Sequence, residues 1–100
     1  MKIPQGKFTV CEYRDFYDIP RLVVAMDEFG RVWVLDCEFN EILDDYEDYY
    51  RVYLLGQGES PGEAISNHLD GERAAEVVKI PTSSVHFDVT RRSSFVLEGA

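Results

Sequence analysis

Residues 21–35 read RLVVAMDEFGRVWVL, two runs rich in apolar and β-branched residues that are joined by a short polar turn. Gly30 lies in that turn and can adopt the positive φ angle that short hairpin loops require. Both runs are almost continuously apolar, which is typical of strands that are covered on both faces. The sequence therefore predicts a β-hairpin at the centre of a sheet.

Further strands are predicted on both sides of this hairpin. Residues 7–13 alternate with a period of two, residues 49–55 are rich in tyrosine and aliphatic residues, and two short runs follow at 85–89 and 94–97. We expect the run at 94–97 to be an edge strand. The glycine-rich residues 56–62 lack the spacing of a dinucleotide-binding loop and are expected only to end a strand.

One helix is predicted late in the chain. Ser60 is a good N-cap residue, a proline follows it at the first helical position, and Glu63 comes three residues after the cap. This helix is expected to place Ile65 and His68 on its apolar face and to end near Gly71. Because strands dominate and no β-α-β alternation is present, we assign the fold class α+β. The expected architecture is a single domain over residues 1–100, a mainly antiparallel twisted sheet with one short helix.

Composition and charge exclude several classes of function. The 100 residues are 45% hydrophobic, enough to bury a core. Nineteen acidic residues against ten basic ones leave a formal charge of -9, which repels nucleic-acid phosphates and anionic membrane surfaces. The sequence contains no apolar run of about 18 residues and no visible export signal, so we expect a cytoplasmic protein. No motif calls for a cofactor.

The most unusual feature is a concentration of negative charge, with seven carboxylates between residues 36 and 48 and no lysine or arginine among them. Tyrosines of the kind enriched at interfaces lie beside these acids. The leading hypothesis is a non-enzymatic protein-binding module, immunity-like or regulatory, that engages a basic partner. The expected partner-binding residues fall into two groups. Asp44, Asp45, Glu47 and Asp48 are expected to steer the approach of the partner by their charge. Tyr46, Tyr49 and Tyr50 are expected to be exposed and to anchor the bound partner.

Several alternatives stay open. The acidic stretch is also consistent with a solvated connection, or with a loose cation site at Asp44, Asp45 and Asp48, although no motif supports the latter. A structural, homodimeric domain would pair strands such as residues 49–55 across a two-fold axis. An enzyme or small-ligand domain would use His86 and Asp88, which are expected on one face of a strand.

The two cysteines and one arginine pair are the last residues considered as candidates for a functional role. Cys11 and Cys37 match no metal-binding spacing and are expected to be reduced, buried residues of strands. Arg91 and Arg92 form the only adjacent basic pair, and we expect them to neutralise part of the acidic stretch.

Three segments carry a resemblance to known sequences. They are residues 16–21 (FYDIPR), residues 35–46 (LDCEFNEILDDY) and residues 85–92 (VHFDVTRR). In these segments, and over about residues 8–92, the chain resembles a group of small acidic bacterial proteins of unassigned function. The resemblance implies a bacterial, cytoplasmic, standalone domain and carries no catalytic residues over.

Overall fold

A computed structural model describes residues 3–17, 19–55, 60–69, 71, 76–88 and 93–98. Nine strands, one α-helix and a 3₁₀ turn at Thr82–Ser84 form the described part of the chain. In chain order the strands and the helix are β1 (Gly6–Tyr17), β2 (Ile19–Met26), β3 (Val32–Asp36), β4 (Phe39–Asn40), β5 (Asp45–Tyr46), β6 (Tyr49–Leu54), α1 (Pro61–Leu69), β7 (Glu76–Pro81), β8 (Val85–Phe87) and β9 (Ser94–Leu97).

Seven of the strands form one antiparallel sheet in the order β7-β6-β3-β2-β1-β9-β8. The sheet curls into a half-barrel. The two remaining strands, β4 and β5, pair with each other as a separate small hairpin. Most neighbours in the large sheet are also close in sequence, and the main exception is the pairing of β1 with β9.

The predicted α+β class is wrong. Strands make up 59% of the structure, and the fold is mainly antiparallel β. The helix α1 exists but has only nine residues, so it covers part of one sheet face and does not form a layer of its own. Three strands, β4, β5 and β7, are not predicted from the sequence because they are polar or short. Their conformation depends on pairing with neighbouring strands more than on intrinsic propensity.

The predicted central hairpin is confirmed. β2 and β3 pair with Val24 opposite Val34, and Gly30 in the connecting turn has a φ angle of 83°. Successive residues of β2 face opposite sides, so Val23 is buried in the half-barrel and Val24 is buried on the other face. This two-sided burial explains why the sequence of the hairpin is almost continuously apolar.

Two clusters of buried side chains lie on the two faces of the sheet. The larger fills the concave face and includes Phe8, Trp33, Leu35, Tyr50, Val52 and Phe95. The smaller lies under α1 and consists of Leu22, Val24, Val34, Tyr53 and Ile65. Complete burial of a side chain such as Phe8 or Leu35 contributes about 1.5–3 kcal/mol to stability, so the concave cluster dominates the folding energy.

Two expectations about sheet edges are wrong. β9 lies between β1 and β8, so it is not an edge strand. β6 lies between β3 and β7, and therefore it has no free edge on which a second copy of the chain can pair. Self-association through residues 49–55 in the form expected from the sequence is excluded by this order.

The predicted helix start is confirmed in its details. The side-chain oxygen of Ser60 accepts a hydrogen bond from the backbone N–H of Glu63 at 3.3 Å, as an N-cap does. Ile65 and His68 are buried, at 0% and 2% exposure. Gly71, with a φ angle of 90°, follows the end of the helix and donates its N–H to the carbonyl of His68. The glycine-rich loop at 56–59 lies outside the described residues.

Candidate partner-binding surface

The acidic stretch folds as a β-hairpin and not as an irregular connection. β4 and β5 pair Phe39 with Tyr46 and Asn40 with Asp45. The backbone N–H of Glu47 donates to the carbonyl of Glu38 at 2.9 Å and extends this pairing by one step. We call residues 38–49 the acidic hairpin. Its strands bring residues from both ends of the acidic stretch side by side.

The tip of the acidic hairpin is held by its own side chains and backbone. The Oδ1 atom of Asn40 accepts hydrogen bonds from the N–H groups of Ile42, at 2.9 Å, and Leu43, at 3.2 Å. Asp44 closes the turn with a φ angle of 53°, a conformation that aspartate tolerates better than most residues. The tip therefore has a defined shape without contact to the core.

Large apolar side chains are exposed on this hairpin. Ile42 is 95% exposed, Leu43 67% and Phe39 50%. The contact residues predicted from the sequence are acids and tyrosines only and do not include this apolar tip. The signal was present, because two adjacent aliphatic residues stand between acids in a segment that lacks the periodicity of a core element.

Four carboxylates of the acidic hairpin remain open to solvent. Glu41, Asp44, Asp45 and Asp48 are exposed, and none of them has a cationic partner among the residues that the structure describes. Three of these, Asp44, Asp45 and Asp48, are predicted steering residues. Their exposure and unopposed charge suit long-range attraction of a cationic surface.

Glu47 differs from the other predicted steering acids. Its Oε1 atom lies 3.3 Å from Nη2 of Arg51, and its Oε2 accepts a hydrogen bond from the Tyr49 hydroxyl at 2.5 Å. The hydrogen bond to Glu47 raises the pKa of Tyr49. The charge of Glu47 is thus largely offset inside the molecule, and its main effect is to orient Tyr49.

Arg51 is the internal counter-charge of this region, a role that the sequence analysis gave to Arg91 and Arg92. Besides its contact with Glu47, its guanidinium lies 3.7 Å from Glu38 and 3.9 Å from Glu76. Burial by itself lowers the pKa of Arg51, but the neighbouring carboxylates outweigh it and raise the pKa. Arg91 and Arg92 lie outside the described residues.

The three predicted anchor tyrosines occupy different environments. Tyr46 is half-buried, with the guanidinium carbon of Arg21 4.2 Å from its ring centroid. Tyr49 is also half-buried. Tyr50 has 0% exposure, and its hydroxyl donates to the carbonyl of Pro20 at 2.6 Å. The expectation that Tyr50 is exposed is wrong, because strand alternation turns it, like Val52, into the concave core.

A groove of about 420 Å³ opens beside the hairpin. Two tyrosines, one leucine and three acids line it, namely Leu43, Asp45, Tyr46, Glu47, Asp48 and Tyr49. Five of the seven predicted partner-binding residues therefore meet around one concave space. Asp44 lies next to it at the tip, and Tyr50 is directed away from it into the core.

The base of the acidic hairpin is tied to the sheet through Cys37. Its thiol donates to the carbonyl of Glu47 at 3.0 Å and accepts a hydrogen bond from Nη1 of Arg21 at 3.2 Å. Burial raises the pKa of Cys37, and Arg21 opposes this only in part. Cys37 is buried as expected, whereas Cys11 is exposed, and both are free thiols. Cys11 is therefore not the buried residue that the sequence predicts.

The two residues of the enzyme alternative, His86 and Asp88, lie at the surface. His86 is exposed, and its Nε2 lies 3.5 Å from a carboxylate oxygen of Glu98, which is also exposed. Asp88 follows β8 and is exposed, with its backbone N–H donating to the carbonyl of Ser94. His86 and Asp88 are therefore both surface residues of the described part of the chain.

Within the described ranges, no group of three or more histidine, cysteine, aspartate or glutamate residues is placed to hold a metal ion. Asp44, Asp45 and Asp48 therefore do not converge as a cation site. In the same part of the chain, no helix has the length and apolar character needed to cross a membrane.

Comparison with known proteins found no relative of this chain. No protein-family model matches the chain, and neither a curated protein nor a solved structure shows significant similarity to it.

Proposed function

We propose that this chain is a non-enzymatic protein-binding module that docks its acidic hairpin on a basic partner protein. The contact would centre on the apolar tip and be surrounded by the exposed carboxylates. A partner of this kind would present an apolar depression within a positively charged surface. Binding of the acidic hairpin would then neutralise or regulate that partner. An immunity-like or regulatory role follows from this chemistry.

One observation carries the proposal: Ile42 and Leu43 are exposed to water at the tip of an ordered hairpin. Exposed aliphatic residues are ordinary when they are scattered, but here Phe39 adds a third on the same hairpin. Burial of Ile42 and Leu43 on a partner would contribute on the order of 1.5–3 kcal/mol each. An apolar centre with a polar rim is the usual composition of a protein interface.

Charge supports a basic partner over a neutral one. The whole chain carries a formal charge of -9, and the four open carboxylates lie on the same hairpin as the apolar tip. Such a distribution raises the association rate with a cationic protein and rejects acidic ones. We therefore expect an association rate that falls as ionic strength rises.

We further propose that the protein works in the bacterial cytoplasm, in line with the resemblance described above. The free, exposed thiol of Cys11 supports a reducing compartment. Fractionation of a host that carries an epitope-tagged copy at the native locus tests this, and recovery with secreted or periplasmic proteins would contradict it.

The docking surface is tested with three variants of the full chain, used as baits in a host lysate. Ile42→Ser/Leu43→Ser removes the apolar tip, and Asp44→Asn/Asp45→Asn/Asp48→Asn removes three open charges. Glu28→Gln/Glu63→Gln/Glu98→Gln is the matched control, because it removes the same number of exposed charges from other parts of the surface. Quantitative mass spectrometry compares the bound proteins, and the best candidate is then purified for binding kinetics.

We expect a basic protein that binds wild type and the control and is lost with the apolar-tip variant. The triple aspartate variant should lower its association rate about tenfold at low salt, with little change in dissociation. Both hairpin variants should stay within about 0.5 kcal/mol of wild-type stability, because the altered side chains are exposed. Equal binding by all baits, or a dimer of wild type that buries the tip in solution, would contradict the proposal.

A further inference from the structure

We infer that the groove beside the acidic hairpin receives a single arginine side chain of the partner. This inference rests on the proposed function and specifies one contact within it. The apolar tip would supply contact area, and the groove would supply recognition of one cationic group. Three properties of the groove lead to arginine: its aromatic wall, its open carboxylates and its size.

The aromatic wall is made by Tyr46 and Tyr49. The molecule already places guanidinium groups against both rings, since Arg21 lies 4.2 Å from the Tyr46 centroid and Arg51 lies 5.8 Å from the Tyr49 centroid. Both rings therefore already act as cation acceptors within the molecule, and an incoming guanidinium would have to stack on the part of each ring that faces the groove. A guanidinium group stacks on such a ring and is attracted by its negative face.

The carboxylates supply the charge. Asp45 and Asp48 line the groove, are exposed, and have no cationic partner among the described residues. The third lining acid, Glu47, is already bound to Arg51. Two open carboxylates next to two aromatic rings can accept several N–H groups of one guanidinium at the same time.

The groove is large enough to admit one long side chain. A volume of about 420 Å³ holds a guanidinium with its aliphatic stem, and Leu43 offers an apolar contact for that stem. Arginine fits better than lysine, because a planar fork can stack and bind a carboxylate together, whereas an ammonium acts as a point charge.

The chain's own cations compete with the incoming group, and Lys79 is one of them besides Arg21 and Arg51. The ammonium of Lys79 lies 5.6 Å from the Tyr49 centroid on the neighbouring strand β7. It repels a second cation and contacts the same ring. Replacement of Lys79 by glutamine should therefore strengthen arginine binding. A nonspecific acidic surface predicts a smaller gain, because Lys79 would then not contact the ring that binds the arginine.

The test uses the ¹⁵N-labelled full chain and a defined probe, an acetylated and amidated glycine–arginine–glycine tripeptide. Its lysine and citrulline counterparts are the controls for shape and charge. Titration is followed by amide and tyrosine-ring chemical shifts. Asp45→Asn/Asp48→Asn and Tyr49→Leu test the two parts of the groove, and Glu63→Gln/Glu98→Gln matches the charge change elsewhere.

We expect saturable shifts confined to residues 43–49, with a dissociation constant on the order of 1–10 mM for arginine and weaker binding for lysine. The aspartate variant should weaken binding about threefold to tenfold, Tyr49→Leu by a similar factor, and Lys79→Gln should tighten it about twofold. The citrulline peptide should produce no saturable shift. The matched control should bind like wild type.

Shifts outside residues 43–49, equal binding of citrulline, or equal loss in the matched control would overturn the arginine groove. The capture experiment then separates this failure from that of the proposed function. If capture still depends on Ile42 and Leu43, only the groove assignment is wrong. If capture fails while the arginine peptide binds, the docking proposal is wrong and the groove remains.

Discussion

The Nε2 atom of His68 lies 2.6 Å from Oδ2 of Asp36, and this pair joins helix α1 to strand β3 beneath the surface. His68 is 2% exposed and packs its ring against Tyr53 at a centroid distance of 4.8 Å. A short polar contact at this depth orients the helix, because an aliphatic helix face alone can slide on an aliphatic sheet. His68 was expected to be a packing residue, and its partner was not predicted.

The first prediction concerns this pair. His68→Ala and Asp36→Ala should each destabilise the protein by about 1–3 kcal/mol, because each change removes one member of a buried polar contact. The double variant should cost less than the sum of the two single variants. Urea unfolding of all four proteins measures this coupling. Strictly additive free energies would show that the contact does not stabilise the fold, and Ser66→Ala, at an exposed position of the same helix, is the control.

The second prediction concerns Asp27 in the turn between β2 and β3. Burial alone raises its pKa, but hydrogen bonds from the Trp33 indole, the backbone of Arg31 and Phe29, and the Arg31 side chain outweigh that effect and lower it. The pKa is thus lower in the folded state than in the unfolded state. The stabilisation is present above the unfolded value of about 3.9 and is lost as the pH falls through the folded value.

Asp27→Asn should therefore cost about 2–3 kcal/mol at pH 7, and the difference from wild type should shrink below about pH 4. Urea unfolding at pH 7, 5 and 3.5 measures the difference at each pH. Asp44→Asn, at an exposed turn position, should change stability by no more than about 0.5 kcal/mol at every pH. A cost of Asp27→Asn that is constant with pH would show that the carboxylate charge contributes nothing.

The third prediction concerns the buried hydroxyl of Tyr50. Its hydrogen bond to the carbonyl of Pro20 ties β6 to the start of β2. Tyr50→Phe should cost about 1–2 kcal/mol, since the carbonyl is left without this donor. Burial raises the pKa of Tyr50 above its ordinary range. Because the folded pKa is the higher one, Tyr50 lowers stability as the pH rises above about 10, and Tyr50→Phe should remove that part of the alkaline loss.

Absorbance at 295 nm and urea unfolding between pH 8 and 11 check this third prediction. Tyr50 should ionise only when the protein unfolds, whereas a surface tyrosine should ionise in the folded state. If Tyr50→Phe retains full stability, the hydroxyl contact with Pro20 is energetically neutral.

The fourth prediction concerns the reactivity of the two thiols. Cys37 is enclosed between Arg21 and the carbonyl of Glu47, and burial raises its pKa. Partial burial also raises the pKa of Cys11, but its side chain on β1 is accessible to solvent. At pH 8, a disulfide reagent should modify one thiol of the native protein within minutes and the second only at the rate of unfolding.

The Cys11→Ser variant assigns the fast thiol, since it should abolish the rapid phase completely. A rapid phase that persists in Cys11→Ser would mean that the base of the acidic hairpin opens readily. Such opening would also loosen the groove, so this result bears on the binding proposal as well.

Local sequence determined the elements whose signals lie within a few residues. The alternating and continuous apolar runs around Gly30 predicted the central hairpin, and the Ser60–Glu63 pair predicted the helix start. The unbalanced charge identified the acidic stretch, but it did not predict that this stretch folds as a hairpin. These features depend on hydrogen bonds and turns between neighbours, so they are readable before the chain folds.

Only the tertiary structure decided which of the adjacent residues Tyr49 and Tyr50 is buried, which acids keep an open charge, and that Ile42 and Leu43 form an exposed tip. It also brought Asp36 to His68 and Arg51 to Glu38 and Glu76. The chain is mainly β because β1 also pairs with the distant β9 and because polar segments become strands once a neighbour offers hydrogen bonds. Pairings such as that of β1 with β9 join residues far apart in sequence, and their energy comes from burial and partner geometry that no local pattern contains.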